Sequence, residues 1–182
     1  MNLRGVTLIE VLVAVTIVAV LAVALGFSYQ GWMGGYQRER VTKDLYADLM
    51  QLRSHALSRN RMYFMRFADA THYAAFEDTN DSLSLDAADL PVVQQTKLTD
   101  FELRWDGAVP ANNRICFGKR GITNIGDDVA NPDGSCAAAF PGANPVVSLL
   151  TDPAIDPDYD CIVISQTKID IGKMTAGACN AK

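Results

Sequence analysis

The residue most suited to chemistry is Glu10, a carboxylate near the start of an apolar run that extends from Val11 to Phe27. That run holds no charged side chain and one hydroxyl, on Thr16. An ionisable group in such a run costs about 2.5–3.5 kcal/mol on membrane-insertion scales and usually marks a function. Glu10 therefore needs a compensating partner and is the first candidate for a functional residue.

Four cysteines form the second reactive set, and all lie in the C-terminal half of the chain. An even count without a CxxC pair indicates two disulfides in an oxidising compartment rather than a zinc site. Four cysteines allow three pairings. We predict Cys116–Cys136 and Cys161–Cys179, because each closes a short segment and the second ties the tail to the last predicted hairpin.

Catalysis has little support in the sequence. The two histidines, His55 and His72, fall on a predicted helix and at a predicted strand start, without a nucleophile motif such as G-x-S-x-G. The Gly118-Lys119-Arg120-Gly121 segment lacks the spacing of a phosphate-binding loop and predicts a turn. We predict that the protein is not an enzyme; a membrane-tethered enzyme would need a clustered polar pocket.

We predict that the protein has no cofactor or metal, and a calcium-binding loop is the alternative. Asp156, Asp158 and Asp160 have the D-x-D-x-D spacing of calcium loops, but Cys161 replaces the expected glycine and Thr167 the expected glutamate. Solvated acidic loops are the preferred interpretation. Further oxygen ligands would come from Asp127, Asp128, Asn131 and Asp133.

A long helix is predicted to carry Glu10. The apolar residues from Val6 to Phe27, about twenty, would span roughly 30 Å, the thickness of a bilayer's hydrocarbon core. Only a helix satisfies its own backbone there, so the many valines do not argue against one. Glycines between Gly26 and Gly35 predict a softer stretch of helix rather than a domain break.

The helical pattern resumes at Arg38 and is expected to end at Asn60 or Arg61. Its apolar positions, three or four residues apart, form a stripe that should pack on a sheet. The stripe consists of Val41, Leu45, Leu49, Leu52 and Ala56. Seven basic residues against three acidic ones lie between Arg38 and Arg66. They predict a solvated face, with lipid headgroups, an acidic neighbour or DNA as alternative contacts.

The remainder predicts an antiparallel β domain, with two hairpins and three further strands. The hairpins are Met62–Phe67 with His72–Phe76, and Cys161–Ser165 with Lys168–Ile171; the other strands are Val92–Leu98, Phe101–Trp105 and Arg114–Phe117. Residues 122–157 are predicted to be loop-rich, because six of the seven prolines lie between Pro110 and Pro157. The net charge of −5 disfavours a general nucleic-acid binder.

The N-terminus resembles that of type IV prepilins and type II secretion pseudopilins. It reads Met-Asn-Leu-Arg-Gly, then Val-Thr-Leu-Ile-Glu, directly before the apolar run. The resemblance implies that a prepilin peptidase cuts between Gly5 and Val6 and methylates the new N-terminus at Val6. Glu10 matches the family's glutamate at the fifth mature position, and the resemblance implies that it acts in assembly. Val6 departs from the family's usual phenylalanine.

The layout of the rest is similar to that of H-type minor pseudopilins and their type IV pilus counterparts, through an Ile-Cys-Phe-Gly-Lys-Arg-Gly segment and a final Ile-Val-Ile-Ser hairpin. The implied fold is α+β: a long N-terminal transmembrane helix that continues into a pilin-like domain with an antiparallel β-sheet. The predicted divisions are a leader (1–5), a membrane or filament-core helix (6–35), its amphipathic continuation (36–61) and a periplasmic or extracellular β-rich domain (62–182).

The implied function is that of a minor pilin or pseudopilin in a type II secretion pseudopilus or a type IV pilus. Its partners would be other pilins or pseudopilins, prepilin peptidase, the inner-membrane assembly platform and, before assembly, membrane lipid. We expect a single-pass bacterial inner-membrane protein with a periplasmic C-terminal domain, which then enters the filament. A DNA-binding minor pilin for natural transformation is the alternative; nucleic acid is not the favoured partner.

Overall fold

In the described residues, one long helix forms the support on which the β-strands pack. The computed structural model describes residues 7–97, 101–110, 112–126, 132–136, 144–150 and 155–182. Helix α1 extends from Leu8 to Arg59 over 52 residues and passes through the glycine-rich stretch without a break. It ends at Asn60, whose φ of 54° and ψ of 40° give the left-handed conformation common after helix ends. This end is the one predicted from the sequence.

In the described residues ten strands follow the helix, and all of them pair antiparallel. They are β1 (Tyr63–Asp69), β2 (His72–Glu77), β3 (Leu90–Lys97), β4 (Leu103–Trp105), β5 (Asn113–Phe117), β6 (Thr123–Gly126), β7 (Val146–Leu149), β8 (Cys161–Ile164), β9 (Ile169–Thr175) and β10 (Ala178–Ala181). The first sheet has the order β3-β2-β1-β5-β6 and the second β10-β9-β8-β7-β4. The α+β class predicted from the sequence is therefore correct.

Both sheets pack on the C-terminal half of α1, which contacts β1 and β5 of the first sheet and β7, β8 and β9 of the second. The predicted stripe supplies the helix side of the core: Leu45, Leu49, Leu52 and Ala56 are at most 2% exposed. Val41 lies at its margin, partly buried. Alternating residues of the strands, such as Tyr63, Met65 and Phe67 in β1, supply the other side.

Two glycines allow close approach between segments. A Cβ at Gly34 would lie 2.7 Å from the Cδ1 atom of Ile155, so the glycine-rich stretch of α1 is where the segment before β8 meets the helix. The absence of a domain break here agrees with the prediction, whereas the predicted softness of the stretch stays a prediction. Gly134 adopts a φ of +80° and its carbonyl accepts a 2.9 Å hydrogen bond from the backbone N–H of Leu85.

The two hairpins and three of the other strands lie where the sequence placed them, with boundaries shifted by a few residues. Three strands were not predicted: β6 and β7, within the proline-rich stretch, and β10, at the tail. Each of these three strands has four residues. Strands β6 and β10 pair with longer neighbours, β5 and β9, whereas β7 lies between the short strands β4 and β8. Such short strands carry little period-two signal of their own.

The two disulfides in the structure join the predicted pairs. Cys116–Cys136 links β5 to the segment that contains Gly134, and Cys161–Cys179 links β8 to β10 across the intervening strand β9. In each bond one cysteine, Cys116 or Cys161, is fully buried, and its partner is partly exposed. Each bond therefore connects the core to a peripheral segment.

Candidate functional site

The helix begins with a capping arrangement centred on Thr7 and Glu10. Thr7 is the N-cap, and its hydroxyl accepts a 3.4 Å hydrogen bond from the backbone N–H of Glu10. Thr-x-x-Glu is the sequence of a capping box, in which a threonine and a glutamate three residues later satisfy the first helical N–H groups. The sequence signal was present, but this role was not predicted for Glu10. Its carboxylate also lies in the first turn, where negative charge is favourable.

The first part of α1 is uncovered. Every side chain from Leu8 to Val23 is exposed, and Leu8 and Val20 retain 84% and 69% of their surface. The one hydroxyl, Thr16, donates a 2.8 Å hydrogen bond to the carbonyl of Val13, so it is satisfied within the helix. An apolar surface of this extent marks a site of interaction with a membrane or with other proteins.

Gly5 and Val6, the predicted cleavage and methylation positions, lie outside the described residues. Among the residues that are described, no helix has the combined length and hydropathy required of a membrane span.

Both histidines have local structural contacts. His55 stacks on Tyr63 with 5.8 Å between ring centroids, and its Nε2 atom lies 3.3 Å from the side-chain amide nitrogen of Gln51. His72 lies 2.9 Å from the carboxylate of Asp69 in the β1–β2 turn. The two residues belong to different neighbourhoods, and in the described part of the chain neither imidazole ring is hydrogen-bonded to a serine or cysteine side chain; the Ser58 hydroxyl donates to the backbone carbonyl of His55.

The acidic segment before β8 is neutralised by lysines. The Nζ atom of Lys173 lies 2.6 Å from Asp156, and that of Lys182 lies 3.4 Å from Asp158. The third carboxylate, of Asp160, accepts a 2.6 Å hydrogen bond from the N–H of Met174. Burial raises the pKa of this carboxyl above its usual value.

Among the described residues, no group of three or more histidine, cysteine or acidic side chains has an arrangement that could hold a metal ion. Asp127, Asp128 and Asn131 of the calcium alternative lie outside them. Asp133 accepts hydrogen bonds from the N–H and hydroxyl of Ser135, at 3.0 and 2.7 Å.

The basic side chains of the helix and of the residues that follow it are mostly engaged within the chain. Arg59 and Arg61 both pair with Glu77, at 2.9 and 3.7 Å, and Arg53 donates to the carbonyl of Thr167. Ion pairs one helical turn apart join Arg40 to Asp44 and Lys43 to Glu39. This pairing fits the predicted solvated face better than it fits a phosphate-binding stripe.

A single helix with an uncovered apolar beginning, covered at its other half by antiparallel sheets, is the architecture of a pilin-like subunit. Residues 41–143 match the family described as Type II transport protein GspH, and residues 1–26 match the prokaryotic N-terminal methylation motif. The first match covers more than half of the chain. The protein therefore belongs to the GspH family, a structural rather than catalytic class, and the predicted resemblance to H-type pseudopilins is confirmed. Comparison with curated proteins and with solved structures finds no significant match.

Proposed function

We propose that this chain is a minor subunit of a type II secretion pseudopilus, matured by prepilin peptidase through cleavage between Gly5 and Val6 and methylation of Val6. The observation that carries the proposal is the uncovered apolar surface from Leu8 to Val23, which follows an N-terminal methylation motif. Membership of the GspH family favours the secretion pseudopilus over a type IV pilus.

The proposed subunit has two successive environments. Before assembly, the apolar half of α1 lies in the bacterial inner membrane as a single pass, and the disulfide-bonded domain lies in the periplasm. During assembly, helped by the inner-membrane platform, the apolar helices of neighbouring subunits pack against each other and replace lipid. The same surface thus serves as the anchor and then as part of the filament core.

Glu10 is the proposed assembly residue. Cleavage after Gly5 would create a positive amine at Val6. The amine of an incoming subunit could then meet the Glu10 carboxylate of a neighbour while the apolar faces pack. Attraction between opposite charges is strong where the surroundings have a low dielectric constant, so this contact would help to set the axial register between subunits.

The proposed maturation is tested by the intact mass and N-terminal peptide of the protein from cells that contain prepilin peptidase. The expected product begins with N-methylated Val6, and a peptidase-deficient strain should retain the longer chain. An uncut chain in the competent strain, or a cut beyond Phe27, would contradict the proposal.

Replacing Glu10 tests the assembly role separately. Glu10→Ala should still be cleaved, folded and resident in the membrane, but should be missing from sheared filaments, because the charge contact is lost. Glu10→Gln keeps the size and polarity, so its failure would identify charge as the cause. Alanine-variant filament content at the wild-type level would show that the carboxylate is unnecessary.

A further inference from the structure

The turn between β5 and β6 packs against the C-terminal end of α1 and leaves apolar surface exposed there. Gly121, in this turn, has a φ of +71°, and a Cβ at its position would lie 3.0 Å from the Cδ2 atom of Leu57. The turn therefore approaches the helix as closely as a glycine allows. Despite this contact Leu57 is 54% exposed, and Ile122, the next residue of the turn, is 42% exposed. Two large apolar side chains thus remain exposed beside one contact.

The turn between β8 and β9 lies next to the same helix end. The carbonyl of Gln166 accepts a 2.8 Å hydrogen bond from the N–H of Thr123, which links this turn to the β5–β6 turn. The carbonyl of Thr167 accepts a 2.6 Å hydrogen bond from the guanidinium of Arg53, one helical turn before Leu57. The helix end and the two turns therefore form one continuous surface.

This surface is basic as well as apolar. We call it the helix-end surface, and its members are Arg53, Leu57, Arg120, Ile122 and Lys168. Arg53 is engaged by the Thr167 carbonyl, and Lys168 lies 2.9 Å from Asp170, although its side chain is 71% exposed.

Arg120 is the cation of this surface that remains available. The residue is exposed and forms no hydrogen bond or ion pair within the described residues. Its neighbour Lys119, by contrast, lies 2.6 Å from the carboxylate of Asp81. A guanidinium presents five N–H donors in a planar fork that matches a carboxylate. The helix-end surface therefore combines an available carboxylate-binding group with two exposed apolar side chains.

We propose that the helix-end surface binds an acidic segment of a different protein. The segment places an apolar side chain against Leu57 and Ile122 and a carboxylate on the guanidinium of Arg120. Arginine and apolar side chains together are typical of protein–protein contacts, and paired charges fix the partner's orientation. The whole chain has a net charge of −5, so a basic surface on it directs an acidic partner to this place and away from the remainder.

The surface fits a protein better than it fits nucleic acid or a second copy. Nucleic-acid affinity grows with the number of phosphates that are neutralised, and Arg53 and Lys168 are already engaged within the described chain. Two copies of the helix-end surface would bring like charges together. A minor subunit also has few neighbours of its own kind, which leaves a different protein as the partner.

The location of the surface defines the side from which the partner comes, and this step rests on the proposed function. Leu57 lies 34 positions beyond Val23, the last described residue of the uncovered apolar stretch, which is roughly 51 Å along the helix at about 1.5 Å per residue. With the apolar half in the inner membrane, the helix-end surface lies at the far end of the domain. Its partner is therefore a protein segment in the periplasm rather than lipid.

Site-specific photo-cross-linking of the full chain, in cells that contain the whole secretion machinery, tests the inference. The probe is a benzophenone amino acid in place of Ile122. We expect a cross-link to a different protein, which mass spectrometry places in a segment that has acidic residues next to an apolar one. The matched control carries the probe in place of Leu150, which is 50% exposed and follows Leu149, whose N–H donates to the carbonyl of Asp160. It should give little of this product.

Variants of Arg120 in the chain with the Ile122 probe form the second arm. Arg120→Glu should lower the cross-linking yield at least about tenfold, because an attractive charge pair becomes a repulsive one. Arg120→Lys keeps the positive charge and should retain most of the yield. Arg40→Gln is the control for the loss of an exposed arginine elsewhere and should leave the yield unchanged. All three variants should unfold at the wild-type urea concentration.

The outcomes separate this inference from the proposed function. A cross-link to a second copy, a nuclease-sensitive adduct with DNA, equal yields from the Ile122 and Leu150 positions, or an unchanged yield with Arg120→Glu would overturn the binding of an acidic segment and leave the pseudopilus function intact. A chain that is not cleaved after Gly5 in these cells would overturn the proposed function, and the inference with it.

Discussion

Aspartates in this protein act mainly on the backbone around them. Asp78 is almost fully buried, and its carboxylate accepts hydrogen bonds from the N–H groups of Ser82 and Leu83, both at 3.0 Å. Asp89 similarly accepts from the N–H groups of Thr79 and Asp86. Such bonds stabilise turns that have no helix or strand partners. The buried carboxylates of Asp78 and Asp89 thus hold the backbone of the segment between β2 and β3.

Asp69 gives this role a measurable pH dependence. Its carboxylate accepts a 2.7 Å bond from the N–H of Thr71 and contacts His72, and these bonds lower its pKa from 3.8 to about 2. A carboxyl whose pKa is lower in the folded state stabilises the fold above its unfolded pKa. That contribution should disappear as the pH falls from about 4 to about 2.

The measurement compares unfolding of the wild type and Asp69→Asn in detergent micelles between pH 5 and pH 2. The wild type should be more stable at pH 5, and the difference should shrink toward pH 2. Asp44→Asn is the control, since Asp44 pairs with the exposed Arg40 and such surface pairs contribute little. A difference at Asp69 that does not change with pH would contradict the assignment.

At the scale of elements, patterns that repeat were predictable and isolated features were not. The helix stripe from Leu45 to Ala56 repeats over three turns, so its burial could be derived from spacing alone. Strand β7, by contrast, pairs with β4 and β8, which are distant in sequence, and its four residues hold no repeat. The buried Arg38 was assigned to a solvated face, because charge alone does not show which face of a helix a ring such as Phe101 will cover.

The helix stripe supports a prediction about stability. Leu49 is fully buried between the helix and the sheets, whereas its neighbour Met50, about 100° further around the helix, is 38% exposed. Leu49→Ala should lower the free energy of unfolding by about 2–5 kcal/mol, through lost burial and the cavity left behind. Met50→Ala should change it by about 0.5 kcal/mol or less. Urea unfolding of the full chain in micelles measures both; equal losses would show that the stripe is not the core-facing side.

For the molecule as a whole, the two halves of α1 have opposite requirements. The C-terminal half is covered by its own sheets, so the domain has a core without any other subunit. The N-terminal half, from Leu8 to Val23, has no cover within the described chain and requires lipid or other helices. If the proposed function is correct, variants such as Glu10→Ala should therefore alter entry into a filament without altering the folding of the domain.

The disulfides allow the stability of the domain to be lowered without changing the uncovered half of α1. Cys161–Cys179 and Cys116–Cys136 have sequence separations of 18 and 20 residues. A loop of this size is worth roughly 3 kcal/mol in the chain-entropy model of the unfolded state. Non-reducing peptide mapping should recover these two pairs, and a Cys116–Cys179 peptide would contradict them.

Replacing Cys161 and Cys179 together with alanine should lower the free energy of unfolding by about 3 kcal/mol. Because the uncovered half of α1 contains no cysteine, the surviving folded fraction should still be cleaved and should enter filaments. Loss of filament entry from a folded, cleaved variant would show instead that β10, which this bond holds to the sheet, takes part in assembly.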